Sequence, residues 1–405
     1  MSVLPDYASA LESALRGIVP LDRTEMVELR ESGGRVLAEP IKADRDLPPF
    51  NRAQMDGYAV RAADFSPGRA WPVAGKVAAG ASADIRVPPG HCVAVATGAA
   101  LPADVDAVIQ HEASDRGDVH GRPVRFTINA VAAGLAVHHR GVDAKIGDVL
   151  VSANVLLQAH HIGIAAAAGH TALRVRARPQ TTILTSGDEI VSPSPTTQDL
   201  SPVQVRNSNG PAVCELLKRF GAEVSASHHL PDEREPTISA VARALIDSDI
   251  VITIGGVSAG ERDHFPAAFD ANGIERSLQG ASIQPGRPIV VGHAANGAIV
   301  IGLPGNPVSV LACACLFAWP IVRCMLGLNP QLPWRNVTLG EAVKPNPHRR
   351  AFRPAILRED NQAVVPAWAG SGDLAHTAPT HGLIELPVQD QLVPARTTLR
   401  LLPWP

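Results

Sequence analysis

Several polar clusters in this 405-residue chain have the residue types to act on a phosphorylated or oxyanionic substrate. Two glycine-rich loops each carry acidic residues: Thr185-Ser186-Gly187-Asp188-Glu189, and Gly255-Gly256-Val257-Ser258-Ala259-Gly260-Glu261-Arg262-Asp263. Glycine lets a backbone approach a phosphate, Ser258 adds a hydroxyl donor, and Glu189 and Asp263 offer oxygen ligands suited to Mg²⁺. A third loop, Gly302-Leu303-Pro304-Gly305-Asn306-Pro307-Val308-Ser309, holds two glycines and two prolines. A helix starting there can turn its unpaired amides and Ser309 toward an anion at little ordering cost. Just upstream, Gln284-Pro285-Gly286-Arg287-Pro288 puts Arg287 in a stiff segment able to meet an oxyanion. A further cluster lies earlier, with Asp56 in Asn51–Ala59, Thr97 in Thr97-Gly98-Ala99 and Asp143 in Arg140-Gly141-Val142-Asp143. Taken singly, an Asp beside Gly is usually a turn former, and a glycine-rich loop usually a tight strand-to-helix turn. Their joint occurrence carries the functional reading.

Other chemistries lack their signatures. No Gly-Lys-Ser/Thr follows the glycine loops and no Gly-x-Gly-x-x-Gly spacing occurs, so motor ATPase and dehydrogenase readings lose ground. The pairs His138-His139, His160-His161 and His228-His229 are neighbours whose side chains point apart on a helix or strand, which favours surface or capping roles over a metal site. Five cysteines, odd in number and without metal-finger spacing, read as reduced thiols. A net charge of −3 provides no basic field for nucleic acid. No uninterrupted apolar run reaches the ~20 residues of a membrane span. The start, with Asp6 and Glu12, is unlike a signal peptide, so a cytoplasmic location is expected. Arginine dominates the cations, with 31 Arg against 5 Lys.

The elements that must position these clusters follow from periodicity. Ala8, Leu11 and Leu15 form one stripe of a helix over 5–16, with Pro5 in its first turn. Asp22 or Thr24 can cap a second helix ended by Gly33-Gly34. Residues 46–143 break into short β-rich runs, such as Cys92–Ala96, Ala107–Gln110 and Val124–Ile128, and read as a small β domain inserted between helices. Asn154 can cap a helix running to Ala168 and ended by Gly169. From 178 to about 328, strands at Thr181–Leu184, Val224–Ala226, Ile250–Ile254, Ile289–Val291 and Ala298–Ile301 alternate with helices, the rhythm of a parallel, doubly wound α/β sheet. One such helix runs from Asn209 to Gly221 and another over Glu235–Asp247. A long apolar helix starts at Pro307 and is kinked by Pro320. Residues 329–405 alternate again and predict a terminal β barrel or sandwich. In an open α/β sheet, ligands bind beyond the carboxyl ends of the strands, where both glycine loops fall.

Together these segments resemble the MoeA and gephyrin E-domain family of molybdopterin molybdenumtransferases, over nearly the whole chain. The family's Asp-x-Pro-x-Phe and Ser-Ala-Met-Asp-Gly-Tyr-Ala resemble Asp46-Leu47-Pro48-Pro49-Phe50 and Ala53-Gln54-Met55-Asp56-Gly57-Tyr58-Ala59. Thr97-Gly98-Ala99, Gly187-Asp188-Glu189, Gly255 to Asp263 and the full Gly-Leu-Pro-Gly-Asn-Pro-Val-Ser at 302–309 complete the match. The resemblance implies a multidomain α/β fold with a doubly wound, MogA/MoaB-like sheet domain over 178–328. Around it would lie an inserted β-rich domain over 46–143, an elongated linking domain from 1–45 with 144–177, and a C-terminal β-barrel over 329–405. The N-terminal helix would pack on either the linking or the sheet domain. It also implies an elongated homodimer with an active site shared between subunits, and contacts with a molybdopterin adenylyltransferase and with apo-molybdoenzymes.

Its reaction would insert molybdenum from molybdate into adenylylated molybdopterin (molybdopterin-AMP), releasing AMP with the help of Mg²⁺. Sulfur ligands come from the pterin, so no protein Cys cluster is needed. Carried over by position, Asp56, Thr97 and Asp143 would surround the substrate, while Glu189 and Asp263 would serve Mg²⁺ and pyrophosphate cleavage. Gly187, Asp188, Gly255, Gly256, Ser258, Gly260, Pro304 and Asn306 would line the nucleotide-pterin, and Arg287, Ser309, Arg353 and Ser371 would take molybdate. The chain departs from the family at Gln284 and Arg287, where Lys is common, and at Val142, Ala53 and His264, where Glu, Ser and an aromatic residue are common. Arg287 keeps its charge, although Arg and Lys present donors differently. Gln284 replaces a cation with a neutral amide, which predicts weakened molybdate binding. Two alternatives stay open: a molybdopterin adenylyltransferase or nucleotide pyrophosphatase of the same superfamily, and a non-catalytic molybdopterin-binding or scaffold protein.

Overall fold

The computed structural model describes residues 4–194, 196–256 and 263–405. The chain forms two compact units, one of Met1–Met26, Gly34–Val36 and Arg174–Pro405, the other of Val27–Gly33 and Leu37–Leu173.

The first unit is built on a six-stranded sheet in the order Glu223–Leu230, Gln180–Ser186, Ile250–Ile254, Ile299–Leu303, Val290–His293, Glu275–Gln279. Its central strand Ile250–Ile254 is β-branched throughout and buried at every position, as a strand covered on both faces must be. The first four strands are parallel. The other two correct the all-parallel expectation: Val290–His293 runs antiparallel to Ile299–Leu303, and Glu275–Gln279 antiparallel to Val290–His293. Short connections explain this, because Gly297 at φ +89° turns the chain back after Ala294 where a parallel return needs a crossover.

One face of the sheet carries the helices Tyr7–Leu15, Asn209–Phe220 and the Pro307–Met325 run, and the other carries Arg234–Asp247 and Phe265–Ala271. Gly221, at φ +100°, ends its helix in the left-handed conformation. The first helix begins at Tyr7, not Pro5, because the Asp6 carboxylate accepts the Ser9 N–H at 2.9 Å and caps it. Pro320 is accommodated as expected of a helix irregularity. The run divides into Pro307–Cys313, a π turn Ala314–Ala318 and Trp319–Met325, so the missing N–H falls where the hydrogen-bond ladder already shifts. Long and apolar enough to cross a membrane, this run is instead largely buried in the sheet-domain core.

Residues 335–403 close into a five-stranded barrel. Arg350–Leu357 pairs with Gln362–Val364, which pairs with Arg335–Leu339, then Thr398–Pro403, then Gly382–Leu386, which returns to Arg350–Leu357. Closure resolves the barrel-or-sandwich alternative and leaves no free edge on those strands. A short strand, Ile283–Gln284, leaves the sheet domain and pairs in parallel with Arg350 and Ala351.

The second unit carries a four-stranded sheet ordered Val73–Val77, Cys92–Val95, Gly57–Val60, Ala107–Gln110, with one apolar cluster on each face. Three sequence expectations for this part are corrected. The second helix is absent. Thr24–Glu28 is a strand paired with Ala172–Arg176, followed by one 3-10 turn, because a partner 150 residues away outweighs local helix propensity. Asn154 is a left-handed residue at φ +61° rather than a cap, and the helix runs Ala159–Ala167 with Gln158 and His161 forming its capping box. The strand placed at Val124–Ile128 extends only over Val124–Arg125.

Candidate active site

Strand order locates the site. The chain runs from Gln180–Ser186 outward to Glu223–Leu230, then crosses back to Ile250–Ile254 on the other side. Neighbouring connections therefore leave Gln180–Ser186 and Ile250–Ile254 in opposite directions, opening a crevice at their carboxyl ends. The glycine loops begin there. Gly187, Gly255 and Gly256 have φ of +131°, +82° and +58°, and a Cβ at Gly256 would come 3.0 Å from Ser186 Oγ and 3.1 Å from the Phe265 ring. Only glycine fits this turn without strain.

A cavity of about 830 Å³ opens at this crevice, within the range of roughly 300–1,000 Å³ common for small-molecule sites. It is lined by Gly187, Glu189, Gly255, Gly256, Asp263, Arg287, Pro304, Asn306, Ser309 and Ser371, which the structure thus brings together. Asp188 stands behind them. Its Oδ1 accepts the Asp232 N–H at 3.1 Å while Asp232 Oδ2 accepts the Asp188 N–H at 3.2 Å, a reciprocal clasp that sets the Asp232 carboxylate on the lining. Ser258 and Gly260 lie outside the described residues. Arg353 is not on the lining. It sits in the barrel strand opposite Ile384, half-buried, with its Nε enclosed and without a partner among the described residues, and burial lowers its pKa.

The lining carries both signs of charge, with the carboxylates Glu189, Asp232 and Asp263 and the guanidinium groups of Arg206, Arg287 and Arg349. Ser371, from the barrel, is tied to the helix start through Asn306 Nδ2 to its Oγ at 2.9 Å and the Val308 N–H to its carbonyl at 2.9 Å. Sequence reasoning missed Asn207, Asn209, Asp232, Arg349 and Trp368 on this lining. Asn207 Oδ1 accepts the Gly210 N–H at 2.9 Å and its Nδ2 donates to Thr185 Oγ1 at 3.3 Å, while Asn209 Nδ2 donates to the Gly305 carbonyl at 2.6 Å. The Asn207-Ser208-Asn209 run ahead of a helix was the available signal. Among the described residues no three His, Cys, Asp or Glu side chains are grouped to hold a metal unaided. All five cysteines are free, and burial pushes the Cys92 and Cys315 thiols up to about 12, away from thiolate chemistry.

In the second unit, Asp56 and Thr97 form one constellation. Asp56 Oδ1 accepts the Thr97 N–H at 2.7 Å and the Thr97 hydroxyl at 3.1 Å, and these bonds, the backbone one foremost, hold its carboxyl below the ordinary Asp value. Asp143 meets His138 Nε2 at 2.9 Å and 3.0 Å, and His138 Nδ1 lies 3.5 Å from Gln54 Nε2. The pairing of Arg52–Ala53 with Val137–His138 thus links the Asp143 and Asp56 segments.

Comparison with known proteins matches these features. Residues 6–169 fit the family model of the MoeA N-terminal region (domain I and II), and residues 182–323 fit that of a probable molybdopterin binding domain. The chain is 30% identical to the molybdopterin molybdenumtransferase of Synechococcus elongatus, over 98% of each protein. It is 31% identical to molybdopterin molybdenumtransferase 2 of Mycobacterium tuberculosis, over 93% of this chain and 94% of that one. The crystal structure of the molybdopterin biosynthesis MoeA protein of Pyrococcus horikoshii superposes with a TM-score of 0.85 at 27% identity, covering 99% of this chain and all of that one. A strand-end crevice of the right topology, a closed barrel and full-length similarity to these relatives agree, and the chain belongs to the MoeA family of molybdopterin molybdenumtransferases.

Proposed function

We propose that the strand-end cavity holds adenylylated molybdopterin beside molybdate, and that molybdenum passes into the pterin dithiolene with release of AMP. The observation that carries this reading is one cavity lined by both signs of charge, the carboxylates of Glu189, Asp232 and Asp263 with the guanidinium groups of Arg206, Arg287 and Arg349 and the hydroxyls of Ser309 and Ser371. Amides and glycines at the strand ends suit a pyrophosphate, and cations with hydroxyls suit a tetrahedral oxyanion. Trp368, the one aromatic residue on the described lining, offers a face to a planar ring. Glu189 and Asp263 would hold Mg²⁺, which supplies charge neutralisation at the pyrophosphate when bound. Among the described residues, Glu189 and Asp263 make a donor set that fits an ion taking one or two carboxylates and completing its shell with phosphate oxygens and water.

The finer assignments belong to the same proposal. Gly187, Asp188, Gly255, Gly256, Ser258, Gly260, Pro304 and Asn306 serve the nucleotide-pterin, while Arg287, Ser309 and Ser371 serve molybdate; Arg353, off the lining, is left out of the molybdate set. Asp56, Thr97 and Asp143 complete the site across a homodimer, and the segment boundaries at 45, 143, 177 and 328 mark its domains. Mixing a Glu189→Gln chain with an Asp56→Asn chain tests the shared site: recovered activity supports it, and additive loss refutes it. The reaction is tested by incubating the protein with adenylylated molybdopterin, Mg²⁺ and molybdate. AMP and a metal-bearing pterin are expected, and substrate binding without either product would favour the scaffold alternative.

A further inference from the structure

We infer that Trp368 is a substrate-binding residue that stacks on the pterin ring system of adenylylated molybdopterin rather than on its adenine. Trp368 is half-buried on the cavity wall, in the connection between the barrel strands Gln362–Val364 and Gly382–Leu386. The chain has five tryptophans, and the other four have partners. Trp71 stacks with Phe65 at 6.0 Å and Trp319 with Phe220 at 5.1 Å. Trp334 packs against Phe352 and under the Arg400 guanidinium, and the Trp404 indole donates to Thr380 Oγ1 at 3.0 Å. The Trp368 indole has no ring, cation or hydrogen-bond partner among the described residues. A ring of this kind normally buries about 150–250 Å² against its surroundings, so one left unpartnered on the wall of a polar cavity suits a planar ligand.

The loop that carries it is pinned. Asp373 Oδ2 accepts the Ala369 N–H at 2.9 Å, the Asp373 N–H donates to the Gly370 carbonyl at 3.1 Å, and Asp373 Oδ1 meets His376 Nδ1 at 2.7 Å. Gly370, at φ +116°, makes the turn that this clasp closes. Ser371 is held in turn to the helix start by Asn306 and Val308, so one short stretch presents both Trp368 and Ser371 to the cavity. That neighbour selects the ring. In adenylylated molybdopterin the dithiolene sits on a ring fused to the pterin, whereas ribose and pyrophosphate separate it from the adenine. Delivery of the metal from beside Ser371 therefore places the pterin, not the adenine, next to Trp368.

This assignment rests on the reading of the cavity given above. Its test uses the full-length protein with the variants Trp368→Ala, Trp368→Leu and Trp368→Phe. Calorimetry without molybdate gives the Kd of adenylylated molybdopterin, of AMP, and of 6-hydroxymethylpterin, which lacks dithiolene and phosphate. Trp368→Ala is expected to raise the Kd of adenylylated molybdopterin about 5- to 150-fold, the range for one stacked heterocycle, with the Kd of AMP unchanged within about twofold. Trp368→Phe keeps an aromatic face and should recover most of the loss. Trp368→Leu has bulk without that face and should not; it replaces Trp368→Ala if that variant fails to fold. A Kd for adenylylated molybdopterin within about twofold of wild type in Trp368→Ala, recovery by Leu as complete as by Phe, or an AMP Kd that rises in step overturns the proposal and leaves the cavity reading intact. A wild type that binds adenylylated molybdopterin but releases no AMP once molybdate and Mg²⁺ are added loses the enzyme reading, while the same Kd ratios still decide the stack. If the wild type does not bind adenylylated molybdopterin, the cavity reading fails and 6-hydroxymethylpterin decides. Binding lost in Trp368→Ala supports the stack; binding equal in the two proteins, or absent from both, overturns it.

Discussion

Gly286 shows how tightly the anion side is constrained. It lies between Gln284 and Arg287 at φ +103°, where an L side chain is strained, and a Cβ there would come 2.3 Å from the Sγ of buried Cys313. The sulfur lies in the helix that carries Ser309, and its S–H points at the Gly286 carbonyl at 3.6 Å. Gly286→Ala therefore incurs about 1–2 kcal/mol of backbone strain and about 1–3 kcal/mol of overpacking. A total of about 2–5 kcal/mol is a large share of a typical stability of about 5–15 kcal/mol. Relief by moving the loop would displace Arg287, and about 1 Å of misplacement can cost on the order of 100-fold in rate. Urea unfolding of Gly286→Ala, Cys313→Ala and the double variant separates the two costs. Removing the sulfur should return the packing part and leave the backbone part, giving a favourable coupling of about 1–3 kcal/mol. Equal stability of Gly286→Ala and wild type, or no recovery in the double variant, would refute the packing argument.

Three further outcomes follow from the geometry. Gln284→Lys exchanges a neutral bond from Asn346, worth about 1 kcal/mol, for a charged contact worth about 1.5–3 kcal/mol, so molybdate KM should fall by about 2- to 30-fold; an unchanged or raised KM contradicts this. Asp56 is held below its ordinary pKa, so its contribution to stability is complete above the unfolded value of about 3.9 and is lost as pH falls through the lower folded value. Thr97→Val removes only the hydroxyl bond and should raise the Asp56 pKa part of the way in a carboxyl NMR titration, since the stronger backbone bond stays. Gly57→Ala would put a Cβ 2.1 Å from the Ile109 carbonyl oxygen inside the four-stranded sheet, and should lower the stability of the β-rich unit by about 1–3 kcal/mol or more on thermal unfolding.

What the sequence made legible was whatever local chemistry dictates. The continuous Ile-Val-Ile-Thr-Ile run predicts its buried strand end to end, and Gly221 marks its helix stop, because a covered strand and a left-handed cap are local requirements. The cavity was legible for the same reason, since loops after parallel strands must share one edge of the sheet. Where distant partners decide, the reading failed: Thr24–Glu28 pairs with residues 150 positions later, and Val290–His293 reverses direction. Arg349 and Trp368 arrive from the barrel, outside every motif, and only closure of that barrel against Ile283–Gln284 brings Arg349 to the cavity. Asp232 gained its place through a backbone clasp with Asp188 that no spacing rule announces.

A single-turnover reaction with adenylylated molybdopterin and Mg²⁺, run with and without molybdate, tests the central claim most directly. The account predicts one AMP released per molybdenum bound to the pterin, with release dependent on the oxyanion. AMP appearing at the same rate and extent without molybdate, or molybdate failing to yield a metal-bearing pterin, would contradict it.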